Sequence, residues 1–321
     1  MSQPVLCRLP NHVGDCVMTL PALRLLAESG YAPSLVGKRF AEDLMLGMGW
    51  RFDPIVGKVT EDLSRMHALA AEFPGRHPLG LLFPNSIGSA LLFRTAGVRS
   101  AGFPTDGRRL FLDKSVPEPG PMHEVERFFT AAREAIIAWG GTPVRDKPEK
   151  ELGLKLLARH RAGARNILKD HEIHGPFVLL APVAKGLHHG QVKCWQHFNA
   201  LAKFVKSQGV IPLALPSPDE VEDVKKACPD ALILPPTTLG TYAALCELAA
   251  AVVANDSGVS HVAAGVGARQ ITLIGVTDTD RTGPWNPKAL VLGRNGAWPS
   301  EEEVFEAVRS LIDQAKRESA A

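Results

Sequence analysis

The sequence lacks the marks of secreted, disulfide-stabilised and membrane-spanning proteins. Its five cysteines are odd in number, widely scattered and without C-x-x-C spacing, so we expect neither a disulfide framework nor a cysteine zinc site. No apolar run reaches the ~18 residues of a membrane span. The first residues lack the cationic start and apolar core of a signal peptide. These absences favour a cytoplasmic protein.

The chain also lacks an excess of charge of one sign. It contains 36 Lys and Arg against 34 Asp and Glu, for a formal net charge of +2. So balanced a composition provides no general attraction to nucleic-acid phosphates or to an anionic membrane. We therefore expect no nucleic-acid partner, and any electrostatic preference must be local.

Common cofactor and metal motifs are missing as well. There is no G-x-x-x-x-G-K-[ST] loop, and no G-x-G-x-x-G follows the first predicted strand, which argues against a P-loop and a dinucleotide site. The adjacent histidines His188 and His189 lack a carboxylate at ligand spacing, which favours a polar loop over a metal site. We expect no metal and no organic cofactor.

What the sequence contains is a recurring order of apolar strand, polar turn and helix, which is typical of parallel sheets covered by helices. A Pro- and charge-rich stretch at 142–150 follows the first such series, and 321 residues exceed what a single core usually holds. The pattern predicts an α/β fold of two doubly wound parallel-sheet domains facing across a cleft, residues 1–160 and 161–321. Strands are predicted at 5–9, 79–83, 177–180, 210–215, 232–234, 250–254 and 270–274, and the first helix at 17–29.

Polar turns follow several of these strands, at the edge of a parallel sheet where ligands bind. The turn at 255–261 leads from an apolar strand into an alanine-rich helix, whose free backbone N–H groups could hold a phosphate. Asp256 and Ser257 could equally be no more than helix caps. The other polar turns lie at 10–15, 84–86, 183–193 and 277–280.

Four segments in order along the chain carry distinctive motifs: RLPNHVGDCVMTLPAL at 8–23, FPNSIGSA at 83–90, NDSGVSHVAA at 255–264 and GVTDTDRTGP at 275–284. Together they resemble the signatures of glycosyltransferase family 9, the ADP-heptose lipopolysaccharide heptosyltransferases, and particularly the heptosyltransferase II branch. The segments span nearly the whole chain, and four ordered motifs are far more specific than any one of them.

The resemblance implies a GT-B architecture of two Rossmann-like domains, with the acceptor bound by the first and the nucleotide sugar by the second. The implied reaction is an inverting, metal-independent transfer of heptose from ADP-heptose to the inner core of lipopolysaccharide. The acceptor would be a lipid A–Kdo–heptose at the cytoplasmic face of the inner membrane, where the protein could bind peripherally. Two alternatives stay open: transfer from a different nucleotide sugar, and a non-catalytic homologue that only binds nucleotide sugars.

Residue roles follow from the same resemblance. An inverting transfer needs a base for the proton of the acceptor hydroxyl. Asp15 matches that position, although its spacing alone fits a helix N-cap equally well. Lys193 matches a lysine before a tryptophan that stabilises the diphosphate leaving group, and Asp256 is assigned to hydroxyls of the donor sugar. The other donor-binding residues are expected to be Val183, Ala184, Lys185, Ser257, Gly258, His261, Thr277 and Asp278, and the acceptor-binding residues Asn11, Gly14, Asn85, Ser86, Arg108 and Arg109.

Overall fold

Residues 1–149 and residues 150–321 form two units, each built around one parallel six-stranded sheet. The computed structural model describes residues 2–73, 77–185, 187–188 and 190–320. The division falls ahead of the predicted boundary at residue 160, because the chain after Lys150 already packs within the second unit. There the N–H of Leu154 donates to the carbonyl of Gly265 at 2.8 Å.

The first sheet is assembled from short apolar runs. Val5, Leu6 and Cys7 in its first strand are fully buried, as expected for an inner strand of a parallel sheet that is covered on both faces. The strands are β1 (Gln3–Arg8), β2 (Tyr31–Lys38), β3 (Arg51–Ile55), β4 (Leu79–Leu82), β5 (Arg99–Gly102) and β6 (Lys114–Ser115). They pair in parallel in the order β3-β2-β1-β4-β5-β6.

Helices connect these strands. They are α1 (Val13–Met18), α2 (Leu20–Glu28), α3 (Phe40–Met45), α4 (Val59–Glu72), α5 (Ile87–Thr95) and α6 (Glu124–Ala138), with 3₁₀ segments at Leu46–Met48 and Thr105–Phe111. Both α2 and α6 carry buried apolar faces and pack against each other.

The first helical region differs from the prediction of one helix over 17–29. It begins earlier, at Val13, and is divided at Thr19, whose hydroxyl donates to the carbonyl of Cys16 at 2.7 Å. Pro21 lies in the first turn of α2, where its missing N–H is tolerated, whereas inside one continuous helix it would break the hydrogen bonding. Asp15 therefore lies in the first turn of α1, whose N-cap is His12, and the reading of Asp15 as an N-cap is wrong.

The second sheet repeats this arrangement. Its strands are β7 (Phe177–Ala181), β10 (Ile211–Ala214), β11 (Leu232–Ile233), β12 (Ala251–Asn255), β13 (Gln270–Ile274) and β14 (Leu290–Gly293), with a separate antiparallel hairpin of β8 (Leu187–His188) and β9 (Gln191–Val192). The sheet order is β11-β10-β7-β12-β13-β14, and all its pairings are parallel.

The helices of the second unit are α7 (Ala158–Asp170), α8 (Phe198–Ser207), α9 (Val221–Ala227), α10 (Leu239–Leu248), α11 (Gly258–Gly265), α12 (Thr279–Thr282) and α13 (Glu301–Ala320), with a 3₁₀ segment at Pro218–Glu220. The last helix begins with a capping box. The N–H of Glu303 donates to the Ser300 hydroxyl at 3.2 Å, and the N–H of Ser300 donates to the Glu303 carboxylate at 2.8 Å.

Both sheets share one topology. Counted along the chain and without the hairpin, the strands of each sheet lie in the order 3-2-1-4-5-6, the doubly wound order of Rossmann folds. The crossovers reverse direction between β1 and β4 in the first sheet and between β7 and β12 in the second. Ligands of such folds bind beyond the carboxyl ends of the strands at this switch point. The predicted α/β class with two doubly wound parallel sheets is confirmed.

Among the residues that the structure describes, no helix combines the length and the apolar character that crossing a membrane requires.

Candidate functional site

Asp15 lies at the switch point of the first sheet, in the helix that follows β1. Its carboxylate Oδ2 is 3.3 Å from Nδ1 of His12, and the two side chains are 36% and 85% exposed. Burial raises the pKa of Asp15, the charge and hydrogen bond of His12 lower it, and the charge of Glu124 raises it again. A carboxylate of raised pKa that remains open to solvent is suited to accept a proton.

A buried arginine supports the loop between β1 and Asp15. Arg8 is 5% exposed, and it donates to the carbonyl of Leu9 and to Oδ1 of Asn11, the latter at 2.7 Å. Burial lowers the pKa of Arg8. The amide oxygen of Asn11 is therefore engaged within the loop, while Gly14 is buried inside α1.

A second buried arginine supports the loop after β4, on the other side of the switch point. Arg108 is fully buried and donates to the carbonyl of Phe103 at 2.6 Å, to the carbonyl of Pro84, and to Oδ1 of Asn85 at 3.3 Å. Burial lowers the pKa of Arg108 to about 10. Sequence reasoning expected this guanidinium to contact the acceptor; in the structure it is buried and holds the loop that carries Asn85. Its neighbour Arg109 is exposed.

Ser86 follows Asn85 and caps the next helix. Its hydroxyl accepts from the N–H of Ser89 at 3.4 Å and lies 2.6 Å from the Ser89 hydroxyl. Ser86 is nevertheless exposed, and Asn85 is half-buried. Because β4 pairs in parallel with β1, both residues lie at the same edge of the sheet as Asp15.

In the second unit, a buried asparagine joins the two loops at the switch point. Asn255 ends β12 and is fully buried; its Nδ2 donates to the carbonyl of Pro182 at 2.9 Å, and its Oδ1 accepts from the N–H of Trp195 at 2.9 Å. Trp195 is anchored in turn by its indole N–H, which donates to the carbonyl of Pro299 at 2.9 Å. Sequence reasoning placed Asn255 within a motif and gave it no role, because a motif does not reveal which backbone groups a side chain reaches.

Lys193 lies beside this junction, immediately after β9 and two residues before Trp195. It is half-buried, and the thiol of the next residue, Cys194, accepts from the N–H of Ala184 at 3.3 Å. Lys193 is therefore held next to the loop after β7, five residues ahead of the helix α8.

Val183 and Ala184 belong to that loop and are half-buried and buried respectively. Lys185 is exposed, and its ammonium group is 3.2 Å from the carboxylate of Asp219. Gly186 and His189, which the sequence assigned to the same polar loop, lie outside the described residues.

The predicted phosphate turn lies between β12 and α11. Asp256 is 9% exposed, and Ser257 is the N-cap of α11 in an extended conformation. The hydroxyl of Ser257 is buried and has no hydrogen-bond partner among the described residues. Gly258 begins the helix and His261 is buried in it. The turn thus joins a nearly buried carboxylate, a buried hydroxyl and the N-terminus of an eight-residue helix.

Two residues after β13 complete this sheet edge. Thr277 is buried at 6% exposure, and Asp278 is exposed and caps α12 by accepting from the N–H of Asp280 at 3.0 Å. The strands β7, β12 and β13 are neighbours, so the structure brings together the predicted donor residues at the carboxyl ends of three adjacent strands. Within the described ranges, no three His, Cys, Asp or Glu side chains form a cluster that could hold a metal ion.

Comparison with known proteins gives consistent results. Residues 69–308 match the family model of glycosyltransferase family 9 (heptosyltransferase). Lipooligosaccharide heptosyltransferase 2 of Haemophilus influenzae is 26% identical over 250 residues, which are 72% of this chain and 70% of that protein.

Two solved structures from E. coli share the fold. ADP-heptose LPS heptosyltransferase II has a TM-score of 0.78 at 22% identity, with 98% of this chain and 100% of that chain covered. Heptosyltransferase WaaC with ADP has a TM-score of 0.73 at 20% identity, with the same coverage of 98% and 100%. These likenesses confirm the GT-B fold class that the resemblance implied.

Proposed function

Because the chain belongs to glycosyltransferase family 9, the heptosyltransferase family, we propose that it transfers heptose from ADP-heptose to the inner core of lipopolysaccharide. The acceptor is a lipid A–Kdo–heptose presented at the cytoplasmic face of the inner membrane. The transfer inverts the configuration at the anomeric carbon and uses no metal ion. The observation that carries the proposal is Asp15, a partly exposed carboxylate of raised pKa at the switch point of the first sheet.

Asp15 takes the proton of the attacking acceptor hydroxyl. As the acceptor O–H bond breaks, the oxygen forms a bond to the anomeric carbon, and the bond from that carbon to the diphosphate oxygen breaks. The proton ends on the Asp15 carboxyl group, and ADP leaves with the electron pair. Burial favours this role because it raises the pKa of Asp15 towards the working pH of a general base.

The second unit stabilises the leaving group. Lys193 supplies a positive charge to the diphosphate, and the free N–H groups at the start of α11 supply hydrogen-bond donors. The buried hydroxyl of Ser257 is available to the same group. Asp256 accepts hydrogen bonds from the hydroxyls of the donor sugar.

The names of the relatives support the choice of donor and acceptor. One similar structure is described as an ADP-heptose LPS heptosyltransferase, another is a heptosyltransferase with ADP, and the curated relative is a lipooligosaccharide heptosyltransferase. A nucleotide-sugar donor and a lipopolysaccharide acceptor are therefore the first substrates to test.

A transfer assay with a donor panel tests the proposal. The purified protein is incubated with EDTA, a detergent-dispersed lipid A–Kdo–heptose acceptor, and either ADP-heptose, a UDP-sugar or a GDP-sugar, and the product is identified by mass spectrometry. We expect one heptose to be added from ADP-heptose, and no sugar to be added from the UDP-sugar or the GDP-sugar. Transfer from a UDP- or GDP-sugar would replace the donor and keep the reaction class. Binding of ADP-heptose without transfer to acceptors of the inner core would favour a non-catalytic homologue.

A further inference from the structure

His12 is an exposed imidazole held against the proposed base. It is the N-cap of α1, and Asp15 lies three residues later in the first helical turn. Its Nδ1 is 3.3 Å from Oδ2 of Asp15, although 85% of the His12 side chain is open to solvent. An exposed contact of this kind contributes little to the stability of the fold. Its main effect is therefore on the carboxylate of Asp15.

Asp15 experiences opposing influences from its surroundings. Burial and the charge of Glu124 at the start of α6 raise the pKa of Asp15, whereas the charge and hydrogen bond of His12 lower it. The neighbouring thiol of Cys16, which Arg8 and Lys38 also influence, has its pKa raised by burial to about 12 and stays neutral. Imidazole is the side chain that ordinarily changes charge between about pH 5 and 8.

We propose that His12 is a positioning residue for Asp15: its ring orients the carboxylate and favours the charged form that can accept a proton. The inference rests on the proposed role of Asp15 as the base. Without His12, burial and Glu124 would act unopposed, and Asp15 would become protonated at a higher pH. His12 thus extends sugar transfer towards mildly acidic pH.

The pH dependence of kcat/KM tests this role, because its acid limb follows the protonation of the base in the free enzyme. Wild type is compared with His12→Asn, whose side chain cannot carry a positive charge, and with His12→Lys, whose side chain is positively charged. His67→Ala, which removes an exposed histidine of α4, is the matched control. The assay uses whichever donor and acceptor the wild type turns over, so an error in the donor assignment does not affect it.

We expect the acid limb of His12→Asn to move up by about half a pH unit, since the interaction is at the surface and screened. At pH values well below the acid limb this corresponds to a roughly threefold loss of kcat/KM, and well above the limb the variant should match wild type. His12→Lys should keep the limb at or below the wild-type position, and His67→Ala should leave it unchanged. Added salt should narrow the gap between the acid limbs of wild type and His12→Asn, because it screens the charge interaction that only wild type has.

An acid limb that stays in place in His12→Asn, or that moves equally in the Asn and Lys variants, would overturn the inference. Affinity for ADP, measured by calorimetry at each pH, should be equal in all four proteins and shows that the second unit is intact. Failure of the proposed function is recognised separately. If Asp15→Asn keeps full turnover, Asp15 is not the base, and both the proposal and this inference fall.

Discussion

The two switch points share one topology and are supported by different side chains. In the first unit, buried Arg8 and Arg108 hold the loops after β1 and β4. In the second, buried Asn255 joins the loop after β7 to the segment before α8. The same position in a doubly wound sheet is therefore stabilised once by charged guanidinium groups and once by a neutral amide.

The backbone groups that each loop leaves unpaired explain this difference. The first unit presents carbonyls at Leu9, Pro84 and Phe103, in stretches where prolines reduce the number of N–H donors. Arginine is a donor-only side chain with five N–H groups in a fork, so one residue can satisfy several carbonyls. The second unit presents both kinds of backbone group, among them the carbonyl of Pro182 and the N–H of Trp195. An asparagine amide both donates and accepts, and so matches that pair.

The largest effect is expected for Asp15→Asn, which changes the proposed catalytic base and none of the side chains that hold the loops. Asp15→Asn keeps the shape of the side chain and removes its basicity, so transfer should fall by about 10²- to 10⁴-fold while ADP affinity is retained. Steady-state kinetics and calorimetry measure the two properties. Asp146→Asn, at a carboxylate that is 81% exposed, is the control and should leave both unchanged.

The same variant makes a prediction about stability. Because burial raises the pKa of Asp15 in the folded protein, the folded state binds that proton more tightly than the unfolded state does. The stabilising contribution of Asp15 is thus present at low pH and lost as pH rises through the folded pKa. Asp15→Asn should therefore unfold at a higher temperature than wild type at pH 7, and the gap should close on acidification. A gap that widens on acidification would contradict this.

Removing the guanidinium support should affect stability next most strongly. Arg108→Met leaves the carbonyls of Phe103 and Pro84 without their donor, and we expect a loss of about 3 kcal/mol in the free energy of unfolding. Arg109→Met changes the exposed neighbour and should stay within about 0.5 kcal/mol. Urea denaturation measures both. Equal losses would contradict the division of roles between these two arginines.

Removing the amide support should affect both stability and nucleotide binding. Asn255→Ala leaves a buried carbonyl and a buried N–H unpaired, which we expect to cost about 2 kcal/mol in the free energy of unfolding, and it should weaken ADP binding because Lys193 is no longer positioned. Asn199→Ala also removes hydrogen bonds, those to Asp230, in which none of the predicted donor residues takes part. It should lower stability and leave ADP affinity unchanged, and loss of ADP affinity in both variants would argue against positioning by Asn255.

The smallest expected effect compares two lysines of the second unit. Lys193→Ala should weaken ADP binding about tenfold, the order expected for one charge-assisted contact, and the loss should shrink at high salt. Lys185 already pairs with Asp219 at 3.2 Å, so Lys185→Ala should have a smaller effect. Calorimetry with ADP at low and high salt checks both variants. Equal losses of ADP affinity in the two variants would contradict the distinction drawn between Lys193 and Lys185.

Sequence reasoning predicted the most apolar elements well and missed the less apolar ones. The strand at 270–274 is confirmed residue for residue as β13, and β12 lies within one residue of its prediction. β2 was not predicted, since its residues include Pro33, Ser34 and Gly37, which are poor strand formers. It forms because pairing between β1 and β3 buries it.

For the site, too, the sequence indicated some features and left others open. The motifs indicated which turns to examine, and those turns lie at the carboxyl edges of the sheets. They could not reveal that Arg108 is fully buried while Arg109 is exposed, because adjacent residues of one type look equivalent in a sequence. The roles of Asp15 and Lys193 remain predictions.

By itself, the sequence determined the α/β class, the doubly wound arrangement in two domains and the family, because apolar periodicity and ordered motifs are local properties of the chain. Tertiary structure alone decided which polar side chains face ligands and which hold loops. That choice depends on backbone groups far apart in sequence, such as Pro182, Trp195 and Asn255, which meet only when β7 and β12 pair. A buried carbonyl or N–H must find a partner, and the fold determines which side chain supplies it.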